Sequence, residues 1–207
     1  ITVDVDAMYN CSAVGIYGYN SSFTGDIYSS GSVCGMGGGS SYNNQNGNNI
    51  FTGSLTSRDY AYGMQFSDNS IFEGSITSGS EAYGMELSDN SIFEGNITSE
   101  SGVHGILVSD NSTFIGDIYS KGSACAIGTS DNSTFIGNTE AESYYGYGIS
   151  INCIGCVVYG NIRSGVRAEG VVFSSGCSIY GNITAEDEIV GINDSSGSNI
   201  YGNVSGR

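Results

Sequence analysis

Apolar and polar residues alternate along this chain in a pattern that recurs with a period of 21 residues. One glycine, found in segments such as "IFEGSI", marks each copy. These marker glycines are Gly25, Gly53, Gly74, Gly95, Gly116, Gly137, Gly160, Gly181 and Gly202. Successive markers are 28, 21, 21, 21, 21, 23, 21 and 21 residues apart. The equal steps indicate an internal repeat, in which each copy forms one unit that stacks on the next.

Apolar residues flank nearly every marker glycine, with polar residues between them. Two positions before the marker stand Phe23, Phe51, Phe72, Phe93, Phe114, Phe135, Val158, Ile179 and Ile200. Two positions after it stand Ile27, Leu55, Ile76, Ile97, Ile118, Thr139, Ile162, Ile183 and Val204. Apolar spacing of two is typical of a β-strand with one buried face. The pattern therefore predicts a strand that runs through the marker glycine.

Two further sides of the unit follow from the same alternation. A second strand is predicted half a unit away, at the pairs Met64 and Phe66, Met85 and Leu87, and Ile106 and Val108. A third, weaker side contains small residues at Ala61, Ala82 and Ala124. An α-helix would need apolar spacing of three and four with few Gly or Asn, and an antiparallel barrel would need hairpin turns. Neither alternative fits the repeat.

The fold class predicted is all-β: a three-sided, single-stranded parallel β-helix (a solenoid) of about nine coils of 21 residues. We expect residues 1–207 to form this one domain, with a Gly/Asn-rich loop inserted at 36–49. One column holds Asn20, Asn48, Asn69, Asn90, Asn111, Asn132, Gly155, Gly176 and Gly197. Asn and Gly share a tolerance of positive φ, so this column predicts a corner ladder with left-handed backbone in every coil.

The columns resemble the right-handed β-helix of pectin-lyase-like proteins and of autotransporter passenger domains and related surface adhesins. Those proteins have coils of similar length, an Asn-rich corner and stacked aliphatic and aromatic interiors. The resemblance covers nearly the whole chain. It implies right-handed winding and a fold, but it does not imply an activity.

The charge of the chain narrows the expected partners. Five Lys and Arg stand against 21 Asp and Glu, which gives a net charge of −16. Nucleic acids and anionic membranes are bound through basic surfaces, so neither is an expected partner. No apolar run approaches the roughly 18 residues that a membrane-spanning helix needs. An acidic surface with few lysines is typical of extracellular or high-salt settings and of cation binding.

Four aspartates form a column just before the corner asparagines: Asp68, Asp89, Asp110 and Asp131. Carboxylates stacked at about 4.8 Å repel each other unless a cation or solvent intervenes, and oxygen ligands suit Ca²⁺. The alternative is that they are hydrated turn carboxylates that cap local backbone N–H groups. We expect no other cofactor.

Polysaccharide-cleaving β-helix enzymes combine clustered Asp with Arg, Lys or His on one face. Here the basic residues are Arg58, Lys121, Arg163, Arg167 and Arg207. The lone His104 shares a column with Tyr62, Tyr83 and Cys125, which indicates packing. We therefore assign no catalytic residue and expect that the chain is not an enzyme.

Two pairs of cysteines are spaced for disulfides between coils. Cys156 and Cys177 are 21 residues apart, so they share a column on adjacent coils, within the Cα separation that a disulfide needs. Cys11 and Cys34 are 23 apart and are the second candidate pair. Such bridges would indicate an oxidising compartment, whereas the alternative is a set of buried thiols.

Sequons for N-linked glycans begin at Asn10, Asn20, Asn96, Asn111, Asn132, Asn182, Asn193 and Asn203. A chain this rich in Asn, Ser and Thr also produces the pattern by chance. Asn96, Asn182 and Asn203 directly follow a marker glycine and alternate with buried residues, so we expect them to point outward, where a glycan fits.

Three hypotheses about function follow. The first is a structural subunit of an extracellular filament or cell-surface assembly that associates with itself end to end, because the strand pattern continues without a cap in "ITVDVDA" and "NIYGNVSGR". The second is a carbohydrate- or ice-binding module, based on the outward column Thr56, Thr77 and Thr98. The third is a polysaccharide lyase or hydrolase.

A further outward column consists of Tyr159, Tyr180 and Tyr201 and continues from Ile115 and Ile136. It is either a contact surface for another molecule or a ladder of side chains stacked within one molecule.

Overall fold

Three parallel β-sheets of nine strands each run the length of the molecule. The structure is a computed structural model that describes residues 13–37 and 46–206. Each coil contributes one strand to each sheet, so the chain winds into a parallel β-solenoid of about nine turns with about 21 residues per turn. This confirms the predicted fold class. No helix in the described residues is long and apolar enough to cross a membrane.

We number the coils 1 to 9 in chain order and the sheets I to III in the order in which the chain visits them. Sheet I consists of Ala13–Ile16, Val33–Gly37, Ala61–Gln65, Glu81–Glu86, Gly102–Leu107, Ser123–Gly128, Tyr145–Ser150, Arg167–Val172 and Glu188–Asn193. Sheet II consists of Ser22–Thr24, Ile50–Thr52, Ile71–Glu73, Ile92–Glu94, Thr113–Ile115, Thr134–Ile136, Val157–Tyr159, Ser178–Tyr180 and Asn199–Tyr201. Sheet III consists of Ile27–Ser29, Leu55–Ser57, Ile76–Ser78, Ile97–Ser99, Ile118–Ser120, Thr139–Ala141, Ile162–Ser164, Ile183–Ala185 and Val204–Gly206.

Equivalent residues of successive coils pair directly, as the repeat predicts. Phe72 pairs with Phe51 on one side and with Phe93 on the other, and Thr77 pairs with Thr56 and Thr98. Side chains of one column therefore lie above each other along the rod.

The strand expected to run through the marker glycine is in fact two strands. Sheet II ends before the marker and sheet III begins after it, so the Phe column and the Ile column belong to different sheets. From Gly25 to Gly160 the markers have φ between 142° and 153°, a region open almost only to glycine. The bend at the marker leaves the inward–outward alternation intact, and for that reason the sequence shows one continuous strand.

The second predicted strand is also corrected. Met64 is buried, but Phe66 is only half-buried and has a φ of 53°. The same position in later coils has φ between 44° and 52°, at Leu87, Val108, Thr129, Ile151, Phe173 and Asp194. It is a second left-handed corner rather than a core position. Ala61 lies in the same strand as Met64, so the predicted second and third sides together are sheet I.

The corner ladder of asparagines is confirmed. Asn69, Asn90, Asn111 and Asn132 have φ between 51° and 54°, and the glycines that replace them in coils 7 to 9 have φ between 63° and 68°. The structure describes only the two ends of the segment 36–49 in which a loop is predicted. Met36 is buried in a sheet I strand, and Asn46–Gly47 pairs with Ser67–Asp68, whereas residues 38–45 lie outside the described part of the chain.

Phenylalanine rings fill the centre of the rod. From Phe23 to Phe135 they stack with centroids 4.7–5.1 Å apart and planes within 10° of parallel. Glycines of sheet I pack against these rings at positions where a larger side chain would clash. A Cβ built at Gly63, for example, would lie 2.8 Å from Cε2 of Phe93. In coil 6, Ala126 occupies the position of this glycine. The residue of the Phe column in the next coil is then Val158, which is smaller than Phe.

Candidate functional site

The chemistry-bearing side chains of the solenoid are arranged in ladders, and the first of these is the aspartate column. Asp68 Oδ1 accepts the backbone N–H of Asp89 at 2.9 Å, Asp89 Oδ1 accepts that of Asp110 at 2.8 Å, and Asp110 Oδ1 accepts that of Asp131 at 2.7 Å. Asp131 Oδ1 continues the ladder to the N–H of Ile154 at 2.9 Å. Each carboxylate thus ties its coil to the next one.

This arrangement favours backbone capping over the calcium site as the use of the four aspartates. One oxygen of each is committed to a backbone N–H group. Among residues 13–37 and 46–206, no group of three or more His, Cys, Asp or Glu side chains is placed to hold a metal ion. The expectation of Ca²⁺ at this column is therefore not supported. The capping also differs from the predicted one, because the hydrogen bonds join neighbouring coils and not neighbours in sequence.

Crowding of like charges has a measurable consequence at Asp89. Partial burial and the negative charges of Asp68 and Asp110 raise the pKa of Asp89 above its ordinary 3.8, and only the hydrogen bond from Asp110 N–H opposes them. The folded protein therefore holds this proton more tightly than the unfolded chain does. The stability that Asp89 contributes is present below pH 3.8 and is lost as pH rises through the folded pKa.

We accordingly expect Asp89→Asn to stabilise the protein at pH 7 by at most about 1 kcal/mol, because the carboxylates are screened by solvent. The amide oxygen retains the bond from Asp110 N–H. The amide nitrogen can donate to Asp68, as Asn138 Nδ2 donates to Asp117 Oδ1 at 3.0 Å in another column. Melting temperatures at pH 7 and pH 3 test this. The gain should vanish at pH 3, and a gain that does not depend on pH would contradict the explanation.

Asp117→Asn is the matched control for this prediction. Asp117 stands between Asn96 and Asn138 in its column, so the substitution removes a carboxylate that has no carboxylate above or below it. We expect a smaller change at pH 7 than for Asp89→Asn.

A second ladder, exposed to solvent, follows the marker glycines. Asn96 Oδ1 accepts the N–H of Asp117 at 2.9 Å, and Asp117 Oδ1 accepts that of Asn138 at 2.7 Å. It continues through Asn161, Asn182 and Asn203 with distances of 2.9–3.0 Å. The outward direction predicted for Asn96, Asn182 and Asn203 is confirmed, since all three are exposed.

The other sequons are also placed by the structure. Asn20, Asn111 and Asn132 are exposed at the left-handed corner, and Asn193 is half-buried at the end of a sheet I strand. Asn10 lies outside the described residues. Two pairs of sequons are on adjacent coils of the same column, Asn111 with Asn132 and Asn182 with Asn203, about 4.8 Å apart.

Inside the corner between sheets I and II run two further ladders that the sequence analysis missed. Ser67 and Ser70 are both buried, and their backbone N–H groups donate to Oγ of Ser88 and Ser91 on the next coil at 3.0 and 3.1 Å. The same bonds recur in later coils. Two buried hydroxyls per coil thereby satisfy the backbone of the bend, which would otherwise be left without partners in the interior.

Three cysteines replace serines in these inner ladders at coils 7 and 8. Cys153, Cys156 and Cys177 are buried thiols, so the structure does not contain the disulfide expected between Cys156 and Cys177, although the two do share a column on adjacent coils. Hydrogen bonding with Cys153 and Cys177, together with burial, raises the pKa of Cys156. Of the other expected pair, Cys34 is buried and Cys11 lies outside the described residues.

On sheet I, the lone histidine takes part in an aromatic stack. His104 lies 5.2 Å from the ring of Tyr83, which in turn lies 5.0 Å from that of Tyr62, as the shared column indicates. Burial lowers the pKa of His104, so it is neutral at pH 7. Tyr83 OH donates to Glu81 Oε2 at 2.7 Å.

Three of the basic residues, Lys121, Arg163 and Arg167, lie away from the aspartate column and are paired with acids. Lys121 contacts Glu100 at 2.5 Å, and Arg163 contacts Glu140 at 3.4 Å, both on the side of sheet III. Arg167 on sheet I contacts Glu169 at 2.5 Å and Glu188 at 3.2 Å. The aspartates occupy the corner between sheets I and II, so the structure does not bring them together with these cations.

Sheets II and III carry the two outward columns identified in the sequence. Thr56, Thr77 and Thr98 are exposed on sheet III, next to a groove of about 350 Å³ whose lining includes Tyr119 and Arg163. On sheet II, Tyr159, Tyr180 and Tyr201 are exposed and stack with centroids 5.0 and 4.7 Å apart.

Comparison with known proteins gives no identification. No protein-family model matches the chain, and neither a curated protein nor a solved structure resembles it significantly.

Proposed function

We propose that this chain is a structural rod of an extracellular or cell-surface assembly. The observation that carries the proposal is the system of ladders between coils. Carboxylates and amides outside the rod, and serine hydroxyls inside it, accept backbone N–H groups of the neighbouring coil through most of its length. These polar groups are used to hold coils together along one axis, which is what an extended and rigid element requires.

End-to-end association is a natural extension of this design. Successive coils meet through the same register and the same hydrogen bonds, so the edge of one coil is complementary to the opposite edge of another. Repeated contacts of this head-to-tail kind produce open filaments. We further infer right-handed winding, in keeping with the resemblance to pectin-lyase-like β-helices and surface adhesins and with the usual hand of connections between parallel strands.

The separation of charges supports a structural role over a polysaccharide lyase or hydrolase. General acid–base chemistry needs an acid and a base that reach one substrate bond. The aspartates accept backbone hydrogen bonds at one corner, and Lys121 and Arg163 are paired with glutamates at sheet III.

Electron microscopy of the purified chain tests the rod proposal. Nine coils at about 4.8 Å predict particles about 45 Å long, and filaments with lengths in multiples of that unit. Light scattering should show mass that increases with concentration. Compact particles, or a monomer at every concentration, would contradict self-association end to end.

A secreted rod should carry glycans in a pattern set by the coil spacing. Because Asn182 and Asn203 stand about 4.8 Å apart, we expect at most one of them to be glycosylated in a given molecule, and likewise for Asn111 and Asn132. Intact mass and glycopeptide analysis of secreted protein measure this. Asn182→Gln should increase occupancy at Asn203, with Asn96→Gln, which is four coils or more from both, as the control. Two glycans on adjacent coils, or none at any site, would contradict the expectation.

A carbohydrate-binding adhesin module is the second candidate. It is favoured by the exposed threonine column, which leads to the groove containing Tyr119, Asn138, Asn161 and Arg163. Hydroxyls, amides, a guanidinium group and one aromatic ring are suited to a sugar. A glycan array with the wild type and with Tyr119→Ala tests it, and binding equal in both, or absent, would exclude this groove.

A further inference from the structure

The outward side of sheet II carries no charge in coils 5 to 9, although the chain as a whole has a net charge of −16. In coils 7 to 9, the sheet II strands with the three residues before them and the two after them read "IGCVVYGN", "SGCSIYGN" and "SGSNIYGN". In coils 5 and 6, the outward residues of sheet II are Thr113 with Ile115 and Thr134 with Ile136. We call the outward side of sheet II in coils 5 to 9 the neutral face.

The neutral face is also apolar and exposed. Ile115 and Ile136 are 39% and 41% exposed, and Tyr159, Tyr180 and Tyr201 are 47%, 42% and 55% exposed. The five form one continuous column, because Ile115 pairs with Ile136, Ile136 with Tyr159, and each tyrosine with the next. A contiguous apolar stripe on a polar surface is typical of a protein contact.

The orientation of the tyrosine rings indicates what kind of surface this is. Tyr159, Tyr180 and Tyr201 stack on each other with planes within 12° of parallel, so most ring faces are already covered. Sugars stack on open ring faces, whereas this column offers ring edges and hydroxyl groups to a partner. A flat, ordered column of side chains on a β-sheet is suited to packing against a second β-sheet, and sheets pack face to face about 10 Å apart.

We propose that the neutral face binds a second copy of this chain side by side. A strongly acidic molecule repels its own copies everywhere that carboxylates meet, so self-association is favoured at an extended apolar face without them. The other sides of the rod carry Glu81, Glu100, Glu142 and Glu188. This pairing is separate from end-to-end stacking, because it uses the flank of the rod and not its coil edges.

We place the two-fold axis of the pair at Tyr159, the middle residue of the apolar column. With antiparallel rods and the axis at Tyr159, Ile115 of one copy lies opposite Tyr201 of the other, and Ile136 lies opposite Tyr180. Glu73 and Glu94, which occupy the same column in coils 3 and 4, then fall outside the paired coils. Along this column, the uncharged residues of coils 5 to 9 would form the contact, and the acidic residues of coils 3 and 4 would lie outside it.

Sedimentation equilibrium of non-glycosylated protein over a wide range of concentrations tests the proposal. We expect a dimer that tightens with added salt, because screening reduces the overall repulsion between acidic rods. Because both copies carry the substitution, Tyr180→Asp introduces two carboxylates into the interface. It should raise the dissociation constant of the dimer at least about 100-fold. Tyr180→Phe keeps the ring and should preserve the dimer. Thr184→Asp, in the same coil but outward on sheet III, is the matched control and should leave it unchanged.

Each outcome decides the matter. Loss of the dimer only in Tyr180→Asp, with unchanged circular dichroism and melting temperature, supports the neutral face as the interface. A wild-type monomer at all concentrations, or a dimer that Tyr180→Asp leaves intact, overturns it. Electron microscopy separates this result from the rod proposal. Lateral pairs overlap only over coils 5 to 9, so they are about 13 coils (about 62 Å) long and have double width only in the middle, whereas end-to-end stacking doubles the length at the width of one rod.

Discussion

Gly95→Ala should destabilise the protein by about 4 kcal/mol or more, in the range reserved for severe local conflicts. Two effects add at this position. The backbone has a φ of 148°, which costs a residue with a side chain about 1–3 kcal/mol. In addition, a Cβ built at Gly95 would lie only 1.8 Å from the carbonyl oxygen of Gly74, a backbone atom of the previous coil that cannot rotate away. Adjacent coils would have to separate at this corner.

Gly25→Ala is the matched control, because it shares the column and the backbone conformation without the crowding. Gly25 has a φ of 142°, and among the described residues the atom nearest to its Cβ is Phe23 Cε1 at 3.7 Å, an ordinary contact. We expect it to lose only the conformational part, about 1–3 kcal/mol. Urea unfolding measures both variants. Should Gly95→Ala not fold, Gly202→Ala tests the crowding near the last described coil, where the Cβ would lie 2.1 Å from Gly181 O. Equal losses at the crowded and uncrowded positions would contradict the steric explanation.

The marker glycines also show what the sequence could and could not predict. Their spacing was enough to establish the period, the stacking and the columns, because identical steps of 21 leave few other folds. The position of the bend was not predictable from alternation. A glycine with φ near 150° turns the chain while side chains continue to alternate, so a corner and a continuous strand produce the same pattern.

The second left-handed corner was missed for a different physical reason. Phe66, Val108 and Phe173 have side chains that normally avoid positive φ, and large apolar residues are usually assigned to the core. At the neighbouring corner, Asn and Gly revealed the backbone conformation through their known tolerance of it. Only the structure shows that the same conformation recurs three residues earlier under Phe and Val.

The candidate site was partly predictable for similar reasons. Outward positions such as Asn182 and Tyr180 follow from alternation with buried neighbours. The partners of Asp89 and Asn96 did not follow, because their oxygens bind the backbone of the next coil, and sequence distance gives no direct sign of such bonds. The buried serines were missed because small polar residues are ordinarily exposed, whereas here they complete hydrogen bonds inside a bend.

Phe93→Ala should cost about 3–5 kcal/mol, which is the second large effect that the structure predicts. Phe93 is fully buried and lies between the rings of Phe72 and Phe114, with both centroids 4.7 Å away. Removing it leaves a cavity in the centre of the rod and ends two ring contacts. Phe173→Ala makes the same chemical change at a residue that is 51% exposed, and should alter stability by no more than about 0.5 kcal/mol. Urea unfolding of the two variants provides the comparison, and similar losses in both would contradict a core built on the ring stack.

A double-mutant cycle tests why the rings and the glycines of sheet I occur together. Gly63→Ala alone should destabilise the protein, because its Cβ would lie 2.8 Å from Phe93 Cε2. In a Phe93→Val background that contact disappears, and the site then resembles coil 6, where Ala126 precedes Val158. We therefore expect Gly63→Ala to cost about 1–2 kcal/mol less in the Phe93→Val background than in the wild type, as contacting residues do not add independently. Strict additivity would mean that the glycine is required by the other close atoms, Gly84 O at 2.6 Å and Ile76 Cδ1 at 3.1 Å from the same Cβ. The size of the stacked ring would then not determine the residue opposite it.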